Sequence, residues 1–531
     1  MADSMIDSSS IGDKQRVIRG GVFLTLSPVA SLVLGFIITV IIGVYILPEE
    51  YAVFEWFNVL TSFFITIIPF QLPSAIGRYV AVAKGANDSD TIEQLAKSAT
   101  VLSLFLVPLS GIISFLITPY VFTAVGIGSS YTVVDVLIFS IGVMCMSLSS
   151  FAVSMSSGLQ QFEKLGIGQF LGSLLSQGPV IVLILLGWGI RALILKWALL
   201  GIVISIFLTL AVRRIWTLRG SLHPMRPLIE FAYPAIIAFL FAYIFNELLI
   251  RSIFQNYVDQ NELGLYGFAV RLTTFISALT LGFHNAIGPH YSRAVGQGGT
   301  QALENEVRWT MRMSFFLFLP LIVGATIIAP AVFEMLFPAY YWSYKYFAVL
   351  MIQLFFFLLL RPYASVLSAL AKTKQVLSSS IVSAIAGGVL MFIFVDYGLV
   401  FVVIGYASSG FFAALMNALW IRKEIAISLG IRQILPITVV SFATVIPAVL
   451  IHYLRLDPMV ELASIATMFI LIYIISIRLL GLVTSNEIQK AASFLPVRLA
   501  QPLTRTLTRV FTRMHDDKSD KLKTSFEVET P

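Results

Sequence analysis

Residues 246–271 read NELLIRSIFQNYVDQNELGLYGFAVR, a polar turn between two long apolar segments that carry Glu247, Arg251 and Arg271 inside or beside them. A charged side chain at bilayer depth is costly, so it usually faces the interior of a helix bundle or a wet cavity and marks a substrate path. Glu247 and Arg251 are four residues apart and share one helix face. If one helix ends near Tyr257 and the next begins near Glu262, Arg251 lies roughly 9 Å and Arg271 roughly 13 Å from the same membrane surface, at ~1.5 Å per residue. Both then sit at similar depth in one half of a core about 30 Å thick. This hairpin of two membrane-length helices is the unit from which the rest of the chain is read.

Composition extends the reading to the whole chain. Of 531 residues 58% are hydrophobic and only 12% charged, and the mean hydropathy is +0.90. That excludes an ordinary soluble globule and defines a polytopic membrane protein. Cys145 is the sole cysteine and falls in an apolar run, so no intrachain disulfide is possible and no thiol metal site is suggested. No cofactor is expected. The apolar segment after Arg19 is far longer than the core of a signal peptide and is expected to be a retained first span.

About fourteen apolar runs are long enough to cross a bilayer as helices, since about 20 residues suffice. They begin with 17–46 and 52–83 and end with 433–453 and 459–480. The fold class is therefore all-α and membrane-spanning. The expected organisation is a cytoplasmic N-terminal segment (1–16), a six-helix bundle (17–219) and a second six-helix bundle (220–431). Two additional transmembrane helices (432–480) and a basic cytoplasmic tail (481–531) follow.

With the N-terminus inside, lysine and arginine crowd the inner loops, from Arg78 and Lys84 to Arg422 and Lys423. The outer loops and outer helix ends carry only Arg191, Lys196, Lys345 and Arg455, beside acids such as Glu49, Glu50, Asp259 and Asp457. This is the positive-inside asymmetry. It places both termini in the cytoplasm and accounts for the net charge of +7 without a nucleic-acid partner, for which no soluble basic domain is visible.

The chain also repeats. Leu60-Thr61-Ser62-Phe63 returns as Leu272-Thr273-Thr274-Phe275, Ala75-Ile76-Gly77 as Ala286-Ile287-Gly288, Ser157-Gly158-Leu159 as Ser368-Ala369-Leu370, and Gly187 as Gly398. The offsets are 212, 211, 211 and 211. A constant offset indicates a duplicated half. Six spans per half is even, so the copies point the same way, related by a pseudo-twofold axis along the membrane normal, with substrate expected between them.

Enzyme motifs are lacking: there is no His-x-x-x-His pair, phosphate-binding glycine loop or nucleophile elbow. The outer loops are also too short for the loop-borne catalytic groups expected of a membrane glycan polymerase. The chain is not expected to be an enzyme.

Leu47-Pro48-Glu49-Glu50-Tyr51-Ala52-Val53-Phe54 resembles the LGPEEYGLF signature of polysaccharide flippases. Glu262-Leu263-Gly264-Leu265-Tyr266, then Ala269-Val270-Arg271-Leu272, Pro289 and Ser292-Arg293, resembles their second-half pattern EVGLYSxAxRL…PxxSR. With fourteen spans as six, six and two, the chain is similar to the Wzx-type oligosaccharide flippases of the multidrug/oligosaccharidyl-lipid/polysaccharide (MOP) exporter superfamily. The resemblance implies a polyprenyl or dolichyl (pyro)phosphate-linked oligosaccharide, moved from the inner to the outer leaflet of the cell membrane by alternating access. Implied partners are that substrate, membrane lipids and H+ or Na+ as coupling ion; the protein is expected to be a monomer. Lipid II flippases of the superfamily tend to carry arginine within the first span, whereas none lies between Arg19 and Pro48 here; Arg271 aligns with the arginine of their eighth span. The rival reading is a cation-coupled drug exporter, whose relatives usually have twelve spans.

A phosphate crossing a bilayer needs fixed cations in place of water, and arginine binds phosphate bidentately while staying charged. Arg271, Arg251 and Arg361 are the candidate substrate contacts. Against them stand an intrabundle ion pair for Arg271, pairing with Glu247 for Arg251, and snorkelling to the inner surface for Arg361, which precedes Pro362. Glu247, Glu55 and Asn58 are candidates for coupling or gating, with an ion pair (Glu247) and an interfacial placement (Glu55, Asn58) as the alternatives. His284 and His290 are expected to be hydrogen-bonded interface residues with no metal. The serines from Ser147 to Ser157 are expected mainly to pack helices closely. Leu503, Leu507, Val510, Phe511 and Met514 against Arg505, Arg509 and Arg513 predict a basic amphipathic helix on the inner leaflet.

Overall fold

The computed structural model describes residues 31–511, except 129, 212–220, 258, 297–299, 371, 426–430, 455–456 and 493–496. The first part of the expected first span, Arg513 and Met514 lie outside the described residues, as do the side chains of His290, Ser292, Arg293, Leu503 and Arg509. Every regular element among the described residues is helical.

In chain order the helices are α1 (Ser31–Tyr45), α2 (Pro48–Ile67), α3 (Leu72–Gly85), α4 (Ser89–Ala124), α5 (Val133–Gly158), α6 (Phe162–Leu185) and α7 (Ile190–Ala211). Next come α8 (Met225–Ala242), a π-helical turn (Tyr243–Leu248), α9 (Leu249–Tyr257), α10 (Gln260–Gly296) and α11 (Thr300–Leu336). The chain continues with α12 (Ser343–Ala369), α13 (Thr373–Phe394), α14 (Leu399–Ile425), α15 (Ile431–Ala443), α16 (Val445–Tyr453), α17 (Pro458–Leu480), α18 (Ser485–Ala492) and α19 (Val497–Phe511). Among the described residues 12 helices are long and apolar enough to cross a membrane, and the bent pair α2/α3 makes 13 spans. With α1, the described part of the run 17–46, the total meets the expected fourteen.

Local chemistry sets the helix limits. Pro48 starts α2, where its missing N–H costs nothing, and Glu49 and Glu50 complement the positive end of the helix dipole. Asp88 caps α4 by accepting from the Thr91 backbone; the Thr91 hydroxyl and that backbone N–H hold its carboxyl below the usual carboxylate range. Thr132 and Asp135 form a reciprocal capping box at the start of α5. Between α2 and α3 the axis bends by 50°. Pro69 and Pro73 flank that break, and Phe70 and Gln71 hold left-handed φ values of 53° and 51°.

The helix limits carry the repeat much further than the four motifs do. Adding 211 to α4 (89–124) gives 300–335, against 300–336 for α11. The same step maps α5 onto α12, α6 onto α13 and α7 onto α14 to within about three residues at each end, within the ordinary fraying of helix ends. Pro119 inside α4 maps onto Pro330 inside α11, and Gly187 and Gly398 both take positive φ, 83° and 104°, in the link that precedes α7 and α14. One place departs. The bent pair α2/α3 maps onto the single continuous helix α10, because the positions of Pro69 and Pro73 are taken there by Thr280 and His284, whose backbone N–H groups remain available to the helix.

The chain packs as two compact units, residues 1–271 and 272–531, so that the sequence passes from one to the other within α10, directly after Arg271. In the first unit α5 lies against α3, α4 and α7. Ile76, Val80, Leu95, Phe151, Met155 and Leu228 are buried together there. Lipid chains are as apolar as leucine, so such helices associate through close packing rather than through expulsion of water. Ser110 and Ser140 accordingly turn their hydroxyls back onto carbonyls of their own helices. In the second unit α11 packs on α12, α15 and α17, while α14 packs on α12 and α13. α18 is tied to α11 by Lys490–Glu306 at 2.7 Å and Arg312–Glu487 at 3.2 Å. α19 brings Phe511 edge-on to Phe316, with ring centroids 5.1 Å apart.

Candidate functional site

The site of the first unit grows out of α2. From Tyr51 to Phe57 every side chain of this helix is buried, including Glu55 at 3% exposure. A buried carboxylate needs a partner, and Arg251 of α9, also 3% exposed, supplies it: Nη2 donates to Glu55 Oε2 at 3.1 Å. The other arm of the same guanidinium donates to Glu247 Oε2 at 2.6 Å and to the Glu247 carbonyl oxygen at 3.1 Å. Arg251 is thus shared between two carboxylates, one buried and one on a side chain 42% exposed. Its Nε is buried with no hydrogen-bond partner.

Glu247 is delivered by the π-helical turn. π-turns are rare and concentrate at functional sites. This one is anchored by the buried Tyr243, whose hydroxyl donates to the Val59 carbonyl of α2 at 3.0 Å.

Arg271 is linked to Glu55 through Tyr51. Its Nε donates to the Thr39 hydroxyl of α1 at 2.6 Å, and that hydroxyl donates in turn to Gly35 O at 2.8 Å. The Tyr51 hydroxyl, fully buried, is in hydrogen-bonding reach of both Glu55 and Arg271. Lys196 of α7 lies within electrostatic range of Arg271 and Glu55, with its Nζ 4.4 Å from the Trp197 ring centroid. The assembled network is Glu247, Arg251, Glu55, Tyr51, Arg271 and Lys196. Arg251 serves both acids, whereas Arg271 makes no ion pair among the described residues.

Glycine makes this proximity possible. A Cβ on Gly264 would fall 1.8 Å from the Pro48 carbonyl oxygen, and one on Gly267 would fall 2.4 Å from Glu55 Cγ. The two motif stretches, Leu47 to Phe54 and Glu262 to Arg271, therefore pack on each other, backbone against backbone. Tyr51 meets Phe268 edge-on at 6.1 Å, and Phe254 stacks on Tyr266 at 4.9 Å.

Five of the expected site residues are in this unit. Arg251, Glu247, Glu55 and Arg271 come together, but Glu55 is not interfacial: it is the buried centre of the network. Asn58, one turn on, is partly buried, and its carbonyl accepts from Ser62 at 3.4 Å. Arg361 is in the second unit, on α12, and faces a separate cavity. Lys196, Tyr51 and Thr39 were not expected at the site. The charge pattern of the sequence puts Lys196 at an outer helix end, yet it lies six positions beyond Ile190 at the start of α7. That sets it roughly 9 Å in at ~1.5 Å per residue, the depth expected for Arg251. Equal depth was the signal available in the sequence.

Closer to the starts of α5 and α7 a cavity of about 750 Å³ is lined by Glu49, Glu50, Tyr131, Trp188, Arg191 and others, with Arg191 Nε donating to Asp135 at 2.8 Å.

A multi-pass helical bundle carrying a buried charge network defines the class: a polytopic membrane protein with ionised side chains inside the bundle. Residues 45–346, more than half of the chain, match the polysaccharide biosynthesis protein family, and the chain belongs to that family. Among solved structures it is similar to the lipid II flippase MurJ in an inward closed conformation, with TM-score 0.66 and 15% identity, covering 85% of this chain and 97% of that one. It is similar to an inward-facing multidrug resistance MATE transporter of the MOP superfamily, with TM-score 0.64, 18% identity and coverage of 77% and 98%. A MOP superfamily transporter from Pyrococcus furiosus, described as having a binding pocket of reverse polarity, gives TM-score 0.60, 18% identity and coverage of 77% and 97%. At these identities the likeness is one of fold, and the fold is that of MOP-superfamily transporters. No curated protein matches the sequence.

Proposed function

We propose that the protein flips a polyprenyl or dolichyl (pyro)phosphate-linked oligosaccharide from the inner to the outer leaflet by alternating access, for assembly of a cell-surface polysaccharide or glycoprotein. The observation that carries this reading is the positive charge of Arg271, which donates to the neutral Thr39 hydroxyl and makes no ion pair among the described residues, beside an Arg251 that already serves both carboxylates. A neutral or cationic cargo has no use for such a charge, whereas a phosphate does. Membership of a polysaccharide biosynthesis family supports the same substrate class. In this reading Arg271 contacts the phosphate and Arg361 offers a further cation. Arg251, with its Nε still free, holds Glu55 and Glu247 in place, and these acids, with Asn58 one turn away, couple or gate the movement. H+ or Na+ is the coupling ion, membrane lipids are the surrounding partners and the working unit is a monomer. The protein acts in the plasma membrane with both termini cytoplasmic, without catalysis or a cofactor.

The buried acid at Glu55 favours one second reading, cation-coupled drug export. Reconstitution in vesicles separates the two: accelerated movement of a fluorescent lipid-linked oligosaccharide across the bilayer is expected. Drug efflux with no such movement would replace the first reading by the second.

A further inference from the structure

Within the second unit a cavity of about 210 Å³ opens between α10 and α12, lined by Thr274, Ser277, Thr280, His284, Phe357 and Arg361 among others. His284 is 4% exposed, and its Nε2 is buried with no hydrogen-bond partner. Arg361 is exposed, lines the same cavity as His284 within electrostatic range of it, and makes no ion pair among the described residues. An orphaned imidazole nitrogen in a buried wall costs about 1–3 kcal/mol of lost hydrogen bonding. A guanidinium facing it without a carboxylate adds an unmet charge.

Both needs are met by one kind of group. We infer that this cavity is an oxyanion pocket that takes a phosphate group, with Arg361 donating in fork geometry and His284 Nε2–H donating from the wall. The hydroxyls beside them supply further polar contacts: that of Thr280 donates to the Ser277 carbonyl at 2.8 Å and keeps its lone pairs free to accept from a protonated phosphate oxygen. Carboxylate-free, small and walled by Leu354, Leu358 and Phe357, the pocket suits a phosphate and excludes an oligosaccharide. The corresponding place in the first half is the proline-flanked break between α2 and α3, so the pocket belongs to the second half alone. The inference rests on the flippase reading only for the source of the phosphate, which is the linkage of the lipid-bound substrate; an ordinary phospholipid headgroup presents the same chemistry.

The test is calorimetric titration of the purified full-length protein with inorganic pyrophosphate, comparing wild type with Arg361→Gln, His284→Gln and the double variant, each checked for a monodisperse elution profile. A charge-assisted hydrogen bond is worth about 1.5–3 kcal/mol, so Arg361→Gln should weaken binding about tenfold or more, and His284→Gln by a smaller factor. Competition identifies the source. Displacement by a lipid-linked oligosaccharide but not by phosphatidylglycerol assigns the pocket to substrate, and displacement by phosphatidylglycerol assigns it to a membrane lipid. Equal affinity in wild type and a well-folded double variant overturns the pocket. A protein that moves no lipid-linked oligosaccharide yet shows the tenfold difference keeps the pocket and loses the flippase reading.

Discussion

Gly267 of α10 lies against the side chain of Glu55 so closely that a methyl group in place of its hydrogen would stand 2.4 Å from Glu55 Cγ and 2.9 Å from Cδ. The acid can hold Arg251 only because the facing helix has no side chain at that point. Gly267→Ala should push Glu55 off Arg251, whereas Gly264→Ala meets the Pro48 backbone at 1.8 Å, where nothing can rotate away. Both variants should lower the melting temperature in detergent, Gly264→Ala by more. Scanning fluorimetry reads the order, and an unchanged Gly264→Ala protein would contradict the packing described.

The shared guanidinium gives a second ordering. Arg251→Ala leaves Glu55 buried and unpaired, at a cost of about 3–5 kcal/mol. Glu247 is half in contact with solvent, so Glu247→Gln should cost under about 1 kcal/mol. Arg251→Met combined with Glu55→Gln should recover much of the yield that Arg251→Ala loses. Fluorescence-detected gel filtration of the three proteins checks it: a double variant no better than the single one would remove the pair from the account.

Arg271 behaves differently: its Nε donates to the neutral Thr39 hydroxyl, it makes no ion pair among the described residues, and Glu55 is already held by Arg251. Losing a neutral hydrogen bond costs about 1 kcal/mol. Arg271→Ala should therefore accumulate nearly as well as wild type while vesicle flipping falls at least about tenfold, and Arg271→Lys should keep part of the rate. Lys196→Met should lower the rate as well. Full transport by a well-expressed Arg271→Ala protein would defeat the phosphate role.

The tail supplies a fourth prediction. α18 is held to α11 by partly exposed ion pairs, each worth under about 1 kcal/mol, and α19 adds the Phe511 contact with Phe316 and Tyr473. Truncation after residue 496 should weaken association with anionic lipid and leave flipping in place. Loss of all transport in a correctly inserted truncate would show that α19 does more than anchor.

Much of this was legible in one dimension. Span number follows from apolar length, and the duplication follows from an offset that the helix limits obey almost residue by residue. Glu247 with Arg251 was legible from their four-residue spacing, and Arg271 from its depth. Glu55 was misjudged as interfacial because its partner is 196 residues away and on another helix. Periodicity within α2 carries no information about a distant guanidinium. Thr39 escaped for a related reason: threonine hydroxyls in spans usually bond their own helix, as Thr39 also does with Gly35. His284 was expected to find a hydrogen bond, and its Nε2 has none.

The bare contact between Pro48 and Gly264 also has a mechanical meaning. Helices that touch through side chains can slide by switching rotamers, but a carbonyl seated on a glycine leaves no such slack. The first turns of α2 and α10 must travel as one lever, and any flexing of α2 has to be taken up beyond it. The left-handed pair Phe70 and Gln71, where the axis already turns by 50°, is the natural fulcrum.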